Sequence, residues 1–333
     1  MANLQLSIGM ASNPRTWPVF QDQMKAEGID FVPSPVRAPE LFWRQLSFAD
    51  FDVSEMSMSS LMMSVAAGDD RWMALPIFTT RRMFHAGVLV RKDRGINKPE
   101  DLKGKKLGVP DYQQTAALWT RGVLLHDFGV SDKDIEFFME RTPDHSHAGA
   151  VGFKAPPGVR INQIPSEKNI GDMVVAGELD GALYYIKAKP GDMTDRSTRD
   201  LAAHPDVKLL FPDPLAEGVR YYQKTGIYPI NHGMVIKRSI YEKHPWAALN
   251  VLKAFEQANE IAEKHRMEHV EYHVGFGLLG PGAAKALASP ILHHGIKANR
   301  KTLEMAAQMS NEQGLTPRRM TLEELFAPNV MDR

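Results

Sequence analysis

Residues 51–60 read Phe-Asp-Val-Ser-Glu-Met-Ser-Met-Ser-Ser and place four hydroxyls and two carboxylates within nine positions. Alternation through Asp52–Met56 predicts a short strand ending in a turn. Ser59-Ser60-Leu61-Met62-Met63 then predicts a helix start with serine caps. Strand ends that run into helix N-termini offer free N–H groups to anions. Ser54, Ser57 and Ser59 are therefore candidates for holding an anionic small molecule, and Glu55 for moving a proton. The same residue types also cap helices and sit solvated at turns, and residue type alone leaves both readings open.

Other residues suited to chemistry are scattered along the chain. His232 follows Pro229 in Thr225-Gly-Ile-Tyr-Pro-Ile-Asn-His232, and imidazole is the side chain best matched to proton transfer near neutrality. His85 follows the pair Arg81-Arg82, whose guanidinium groups suit a bidentate clamp on a carboxylate. Adjacent residues seldom point the same way, so one of the two arginines is expected to be solvated. Tyr112-Gln113-Gln114-Thr115 precedes a predicted helix, so Thr115 and the first N–H groups form a second anion cradle. Trp119, one turn later on the same face, could wall an aromatic ring or pack in the core. Arg121 reads as a cleft-wall or interlobe residue. His145 and His147, with His232, form a possible three-nitrogen metal set. Twelve histidines make chance pairing common, so no metal is expected and these two are read as covering a closed cleft.

Composition bounds the elements that must position these groups. A chain of 333 residues exceeds one ordinary core and suggests two lobes. Hydrophobic content of 43% and charged content of 24% are those of a globular protein. Lys+Arg and Asp+Glu are both 40, and no basic stripe argues for nucleic acid. No apolar run approaches the roughly 18 residues of a membrane span. Cysteine is absent, which excludes disulfides, thiolate catalysis and cysteine-bound metals. The first residues run directly into an alternating strand with no leader pattern, so a cytoplasmic location is expected.

Strand-like segments 4–9, 30–36, 51–56, 73–78 and 87–92 alternate with helical spacing at 19–26, 40–46 and 59–67. That alternation predicts a mostly parallel sheet with helices on both faces. A second α/β unit follows from Leu107, with a helix at 115–128, strands at 135–139, 181–185 and 207–210, and a helix at 170–177. Residues 142–165 form a long Pro-, Gly- and His-containing loop, more often functional than idle. A strand at 233–237 precedes a helical tail with segments 246–264, 268–276, 281–291, 301–311 and 322–325. Spare apolar positions there (Leu249, Leu252, Phe255, Leu278, Leu279) suggest a homo-oligomer.

The chain resembles the 4,5-dihydroxyphthalate decarboxylase family. The matching pieces are Phe42-Trp-Arg44, Phe51–Ser60, Ala74-Leu-Pro-Ile-Phe78, Asp101-Leu-Lys-Gly-Lys-Lys-Leu-Gly-Val-Pro110, Tyr112-Gln-Gln-Thr-Ala-Ala-Leu-Trp-Thr-Arg-Gly122, His145-Ser-His147, Gly177-Glu-Leu-Asp180 and Thr225–His232. The resemblance implies an α/β, two-lobed type II periplasmic-binding-protein-like fold with a hinge crossover near Gly95–Val109. Residues 1–98 and 226–333 would form one lobe and 99–225 the other. It further implies removal of one carboxylate from a dihydroxylated aromatic dicarboxylate, giving protocatechuate and CO2, with no cofactor and with Asn231 beside His232 in the site. The resemblance implies, for some relatives, an Arg and a Ser flanking the histidine that matches His85, where this chain has Phe84 and Ala86. A non-catalytic solute-binding or sensor protein for an aromatic acid is the rival reading. A thiamine-pyrimidine biosynthetic enzyme of the same fold should need a Cys-rich iron site, and Cys is absent.

Overall fold

A computed structural model describes residues 2–280, 282 and 293–333. Two sheets carry the chain. The first runs in the order β2-β1-β3-β11-β4, from β1 (Leu4–Met10), β2 (Ile29–Pro35), β3 (Val53–Ser57), β4 (Trp72–Arg81) and β11 (Ile230–Lys237). The second runs β10-β5-β9-β6-β7-β8, from β5 (Leu89–Arg91), β6 (Lys106–Val109), β7 (Glu136–Met139), β8 (Arg160–Gln163), β9 (Gly181–Ala182) and β10 (Val207–Leu209). The expected parallel pairing holds for β1 with β2 and β3, and for β6 with β7 and β9. The sheets are nonetheless mixed, because β11 lies antiparallel between β3 and β4, and β5 is antiparallel to β9 and β10. A strand that returns from another lobe has no right-handed crossover helix to force it parallel.

The chain leaves the first sheet after Arg81 and enters the second at Leu89, so residues 89–91 pair in the second sheet. Crossing therefore begins ahead of the Gly95–Val109 segment marked by the sequence. The return passes through Gly226–Pro229 into β11. The two crossings lie side by side, with the Arg82 N–H donating to the Pro229 carbonyl at 3.2 Å.

Helices α1 (Trp17–Phe20), α2 (Ala38–Phe48), α3 (Met58–Ala66), α4 (Thr115–Phe128), α5 (His147–Ala150), α6 (Ile170–Val175), α7 (Pro214–Thr225), α8 (Arg238–Lys243) and α9 (Trp246–Gly275) cover the sheets. Two further helices span Arg300–Glu312 and Leu322–Leu325. The helix expected over 19–26 stops at Phe20, because Asp22 takes the left-handed conformation (φ 51°) and turns the chain. The segments expected at 246–264 and 268–276 join into one 30-residue helix, His265-Arg266-Met267 carrying no breaker. The segment expected at 281–291 lies, but for residue 282, outside the described residues. Helix α7 went unread although its sequence marks both ends, with Asp213 capping Ala216 N–H, Pro214 at the first turn and Gly226 at the stop.

One continuous apolar core joins α3, α4, the 300–312 helix and both sheets, with Trp72, Trp119 and Phe137 almost wholly buried. A second core lies between the first sheet and α9, around Ile8, Leu75, Met234 and Phe255. The second sheet is sensitive at Gly181, where an added Cβ would run into the backbone carbonyl oxygen of Leu89 on the neighbouring strand. Gly181→Ala is expected to destabilise the protein by roughly 1–3 kcal/mol, the usual range for forced overpacking. An unchanged urea midpoint would show that β5 and β9 are not held this closely.

Candidate active site

Strand β3 is buried along its whole length, so Glu55 at its centre carries a carboxylate with no exposure to water. Every donor within reach turns toward it. Glu55 Oε2 accepts the Ala11 N–H at 2.9 Å from the end of β1. Oε1 accepts the Thr79 hydroxyl of β4 and the Nδ1–H of His232 at 2.9 Å from β11. Burial alone pushes the Glu55 carboxyl up. The facing His232 and the bonds from His232, Thr79 and Ala11 outweigh burial, and the net shift is below the usual range.

His232 is placed by an irregularity. β11 pairs regularly with β3, His232 opposite Ser57, but slips in register against β4 at Ile230, His232 and Gly233. Such irregularities re-aim side chains at sheet rims and sites. The ring reaches the cavity wall with its edge to Phe42 (centroids 4.7 Å apart), and Asn231 Nδ2 lies 2.8 Å from Nε2. A carboxylate behind Nδ1 and the Asn231 amide on the cavity-side Nε2 hold the ring as a positioned acid–base group.

Between the lobes lies a cavity of about 240 Å³. Its first-lobe wall includes Arg37, Phe42, Ser57, Thr80, Arg82, Asn231 and His232; its second-lobe wall includes Phe84, Gln114, Thr115, Arg141, His147 and Tyr184. Links across the gap tie the two walls together. The Ser57 and Thr115 hydroxyls are 2.9 Å apart, the Ser59 N–H donates to Thr115 Oγ1 at 2.9 Å, and Trp119 Nε1 donates to the Ile230 carbonyl at 2.9 Å. At the mouth, Arg37 pairs with Asp192. Arg141, almost wholly buried, is gripped by Asp111 at 2.9 Å and Asp195 at 2.8 Å. Burial pushes Asp111 up to about 6 against the pull of that guanidinium. Among the described residues, Arg82 is the lining guanidinium whose side chain has neither an ion pair nor a hydrogen bond.

Of the residues singled out by sequence, Ser57, Arg82, Thr115, His147, Asn231 and His232 meet at this cavity, with Glu55 directly behind His232. Others stand behind the wall. Ser54 donates to the Glu55 carbonyl, and Ser59 lies inside α3 rather than capping it; Ser57 occupies the cap position and sends its hydroxyl across the cleft. Arg81 turns away to Asn299 Oδ1 at 2.6 Å, which leaves Arg82 as the cleft-facing member of the pair. Tyr112 donates to Asp132 and carries the Arg121 guanidinium on its ring, 3.7 Å from the centroid, so both are core groups. Gln113 is fully buried away from the cavity while Gln114 lines it. Trp119 is a core residue that ties α4 to the start of β11.

His85 is also buried, at the hinge. Its Nε2 faces Glu217 at 2.9 Å and its ring lies against Phe211 and Tyr221, outside the cavity lining. His145 rests on Trp43 at 5.0 Å, and no group of three His, Asp or Glu among the described residues is placed to hold a metal. Sequence reading missed Arg37, Phe42 as a wall, Gln114, Arg141 and Tyr184. Phe42 and Gln114 fall inside quoted motifs, but Arg141 and Tyr184 reach the site only through tertiary contacts.

The same architecture recurs in solved proteins. The alkanesulfonate-binding protein SsuA of Xanthomonas axonopodis pv. citri superposes with TM-score 0.56 at 15% identity, covering 98% of this chain and 99% of that one. The Escherichia coli aliphatic sulphonate binding protein SsuA gives 0.55 at 16%, covering all of both chains. A family profile described as NMT1/THI5-like matches residues 62–153. A Pseudomonas putida protein named 4,5-dihydroxyphthalate decarboxylase is 30% identical over 223 residues, covering 67% of this chain and 83% of its own length. A Comamonas testosteroni protein of the same name is 31% identical over 335 residues, covering all of this chain and 99% of its own length. With that full-length match and the two-lobed fold, this chain belongs to the 4,5-dihydroxyphthalate decarboxylase family.

Proposed function

We propose that this protein decarboxylates 4,5-dihydroxyphthalate to protocatechuate and CO2 in the interlobe cavity. The observation that carries the reading is the Glu55–His232 pair, a buried carboxylate holding an imidazole by Nδ1 at the wall of the interlobe cavity. Family membership supplies the substrate class. A volume of about 240 Å³ falls just below the roughly 300–1,000 Å³ of sites for larger ligands, which suits a single substituted ring.

Each carboxylate of this substrate has a hydroxyl para to it. Loss of the phenolic proton pushes an electron pair to the ipso carbon. A proton delivered there forms the C–H bond, the C–CO2 bond breaks, and its electrons return to the ring as CO2 leaves. The phenolate is its own electron source, so the step needs no added electron sink. His232 is the proton donor of this proposal: with a proton on Nε2 the Asn231 amide turns its Oδ1 instead of its Nδ2 to the ring, and the Glu55 carboxylate stabilises the imidazolium before transfer. Arg82 anchors the carboxylate that stays. The apolar Phe42, against the histidine ring, keeps water from the carboxylate that leaves.

Purified protein with 4,5-dihydroxyphthalate and a chelator is expected to release CO2 and form protocatechuate. Tight binding with the diacid unchanged would return the chain to the solute-binding reading. His232→Asn keeps a donor for Glu55 at the Nδ1 place and removes Nε2. It is expected to fold and to lose about 10²–10⁴-fold in kcat; wild-type turnover would take His232 out of the mechanism. Arg82→Met is expected to raise KM about 10–100-fold, the worth of a charged hydrogen bond, with kcat little changed. A drop in kcat alone would place the anchor elsewhere.

The Glu55 shift also fixes a sign for stability. Its folded value lies below the ordinary 4.5, so its stabilising bonds are fully present above that pH and fade as pH falls through the folded value. Wild type is therefore expected to exceed Glu55→Gln in urea stability at neutral pH, with the margin shrinking below about pH 4.5. A margin that grows on acidification would mean that Glu55 is protonated in the native state.

A further inference from the structure

His147 is locked in one tautomer on the second-lobe wall. It opens α5, with its ring edge-on to Phe42 at 5.3 Å, so His147 and His232 flank the same phenyl ring. Its Nε2 lies 3.1 Å from the Pro39 carbonyl oxygen. A carbonyl oxygen can only accept, so Nε2 carries the hydrogen and Nδ1 of the neutral ring is a bare lone pair. That Nδ1 is buried and has no partner. Burial and the Arg141 guanidinium hold the ring well below the ordinary histidine range, which keeps it neutral near pH 7. Arg141 turns three of its N–H groups to Asp111 and Asp195 and makes no hydrogen bond to that Nδ1.

The His147 ring lines the cavity, and an acceptor without a donor in that ring selects what enters. A carboxylate has only acceptors and is repelled by the lone pair; a hydroxyl supplies the missing hydrogen. We propose that His147 Nδ1 is the hydroxyl-reading group of this cleft, accepting a hydrogen bond from a ring hydroxyl and so turning the carboxylate edge toward the part of the cavity held by His232 and Arg82. This inference rests on the decarboxylase reading for its substrate, while its selectivity for hydroxylated rings is measurable without turnover.

Protocatechuate and benzoate, each with one carboxylate and differing by two hydroxyls, are the probes for calorimetry. Wild type is expected to bind protocatechuate at least about fivefold tighter, the low end of what satisfying a buried unpaired acceptor supports. His147→Leu should bring the two within about twofold by weakening protocatechuate alone. His147→Asn, which returns an acceptor to the Nδ1 place, should restore most of the preference. No preference in wild type, or the same preference in His147→Leu, would overturn the inference. Nitrogen-15 spectra of the histidine-labelled wild-type protein give a readout that needs no variant. The free protein should show His147 protonated at Nε2 only, with Nδ1 shifting on addition of protocatechuate and not of benzoate. A hydrogen on Nδ1 in the free protein would also overturn it. CO2 release without hydroxyl preference would sink this inference alone; hydroxyl preference without CO2 release would sink the decarboxylase reading alone.

Discussion

The buried Glu55 carboxylate is the constraint around which the rest is arranged. Taking a carboxylate out of water costs several kcal/mol unless donors replace the lost hydration. Here the donors come from three neighbouring strands or their ends: Ala11 beyond β1, Thr79 on β4 and His232 on β11. Only a strand order that places β3 beside β1 and inserts β11 between β3 and β4 assembles all of them. The chain must therefore leave for the second lobe and come back before the carboxylate is satisfied. The same return sets β11 beside the outgoing crossing and so builds the hinge.

Closure of the cleft rests on links of unequal kind. Those on its floor, from Ser57 to Thr115 and from Trp119 to Ile230, are buried hydrogen bonds between neutral groups. The Arg37–Asp192 pair at the mouth has its guanidinium side chain 37% exposed. The Asp192 side chain is 3% exposed, so this link is half-buried, whereas the floor bonds are buried on both sides. That asymmetry suits a cleft that admits a ring from one side and keeps its reactive wall dry.

Much of this was legible in the sequence where the signal was local. The 115–128 helix runs between Gln114 and a left-handed Gly129, and both ends can be read directly. The polar run after Phe51 marked a strand-to-helix junction at the cleft. Which of its side chains mattered was not local. Alternation suggested a half-buried strand, whereas β3 sits in mid-sheet with every residue buried, so Glu55 faces donors instead of water. Arg81 against Arg82, and Gln113 against Gln114, are choices of one residue decided by strand twist and helix entry. His85 looked like a site residue because it follows two arginines, but the chain folds it under the hinge against Glu217. Arg141 and Tyr184 carry no motif at all; they reach the cavity because β7 and β9 flank β6 and end at the same edge.

The distribution of charge in the cavity bears on why a ligand-holding fold could host a reaction. Fold alone is neutral on the question. Three guanidinium groups line the walls, yet Arg37 is answered by Asp192 and Arg141 by Asp111 and Asp195. Among the described residues, a dicarboxylate entering such a cleft finds one uncommitted guanidinium, Arg82, and not two. Clamping both carboxylates equally would tighten binding of the ground state without helping either one to leave. On the decarboxylase reading, one anchor concentrates the binding energy on the carboxylate that stays. The other is left near Phe42 and His232, where charge is poorly solvated and a proton is at hand. Neutralising the extra arginines internally is then what converts a diacid-holding cavity into one that destabilises half of the diacid.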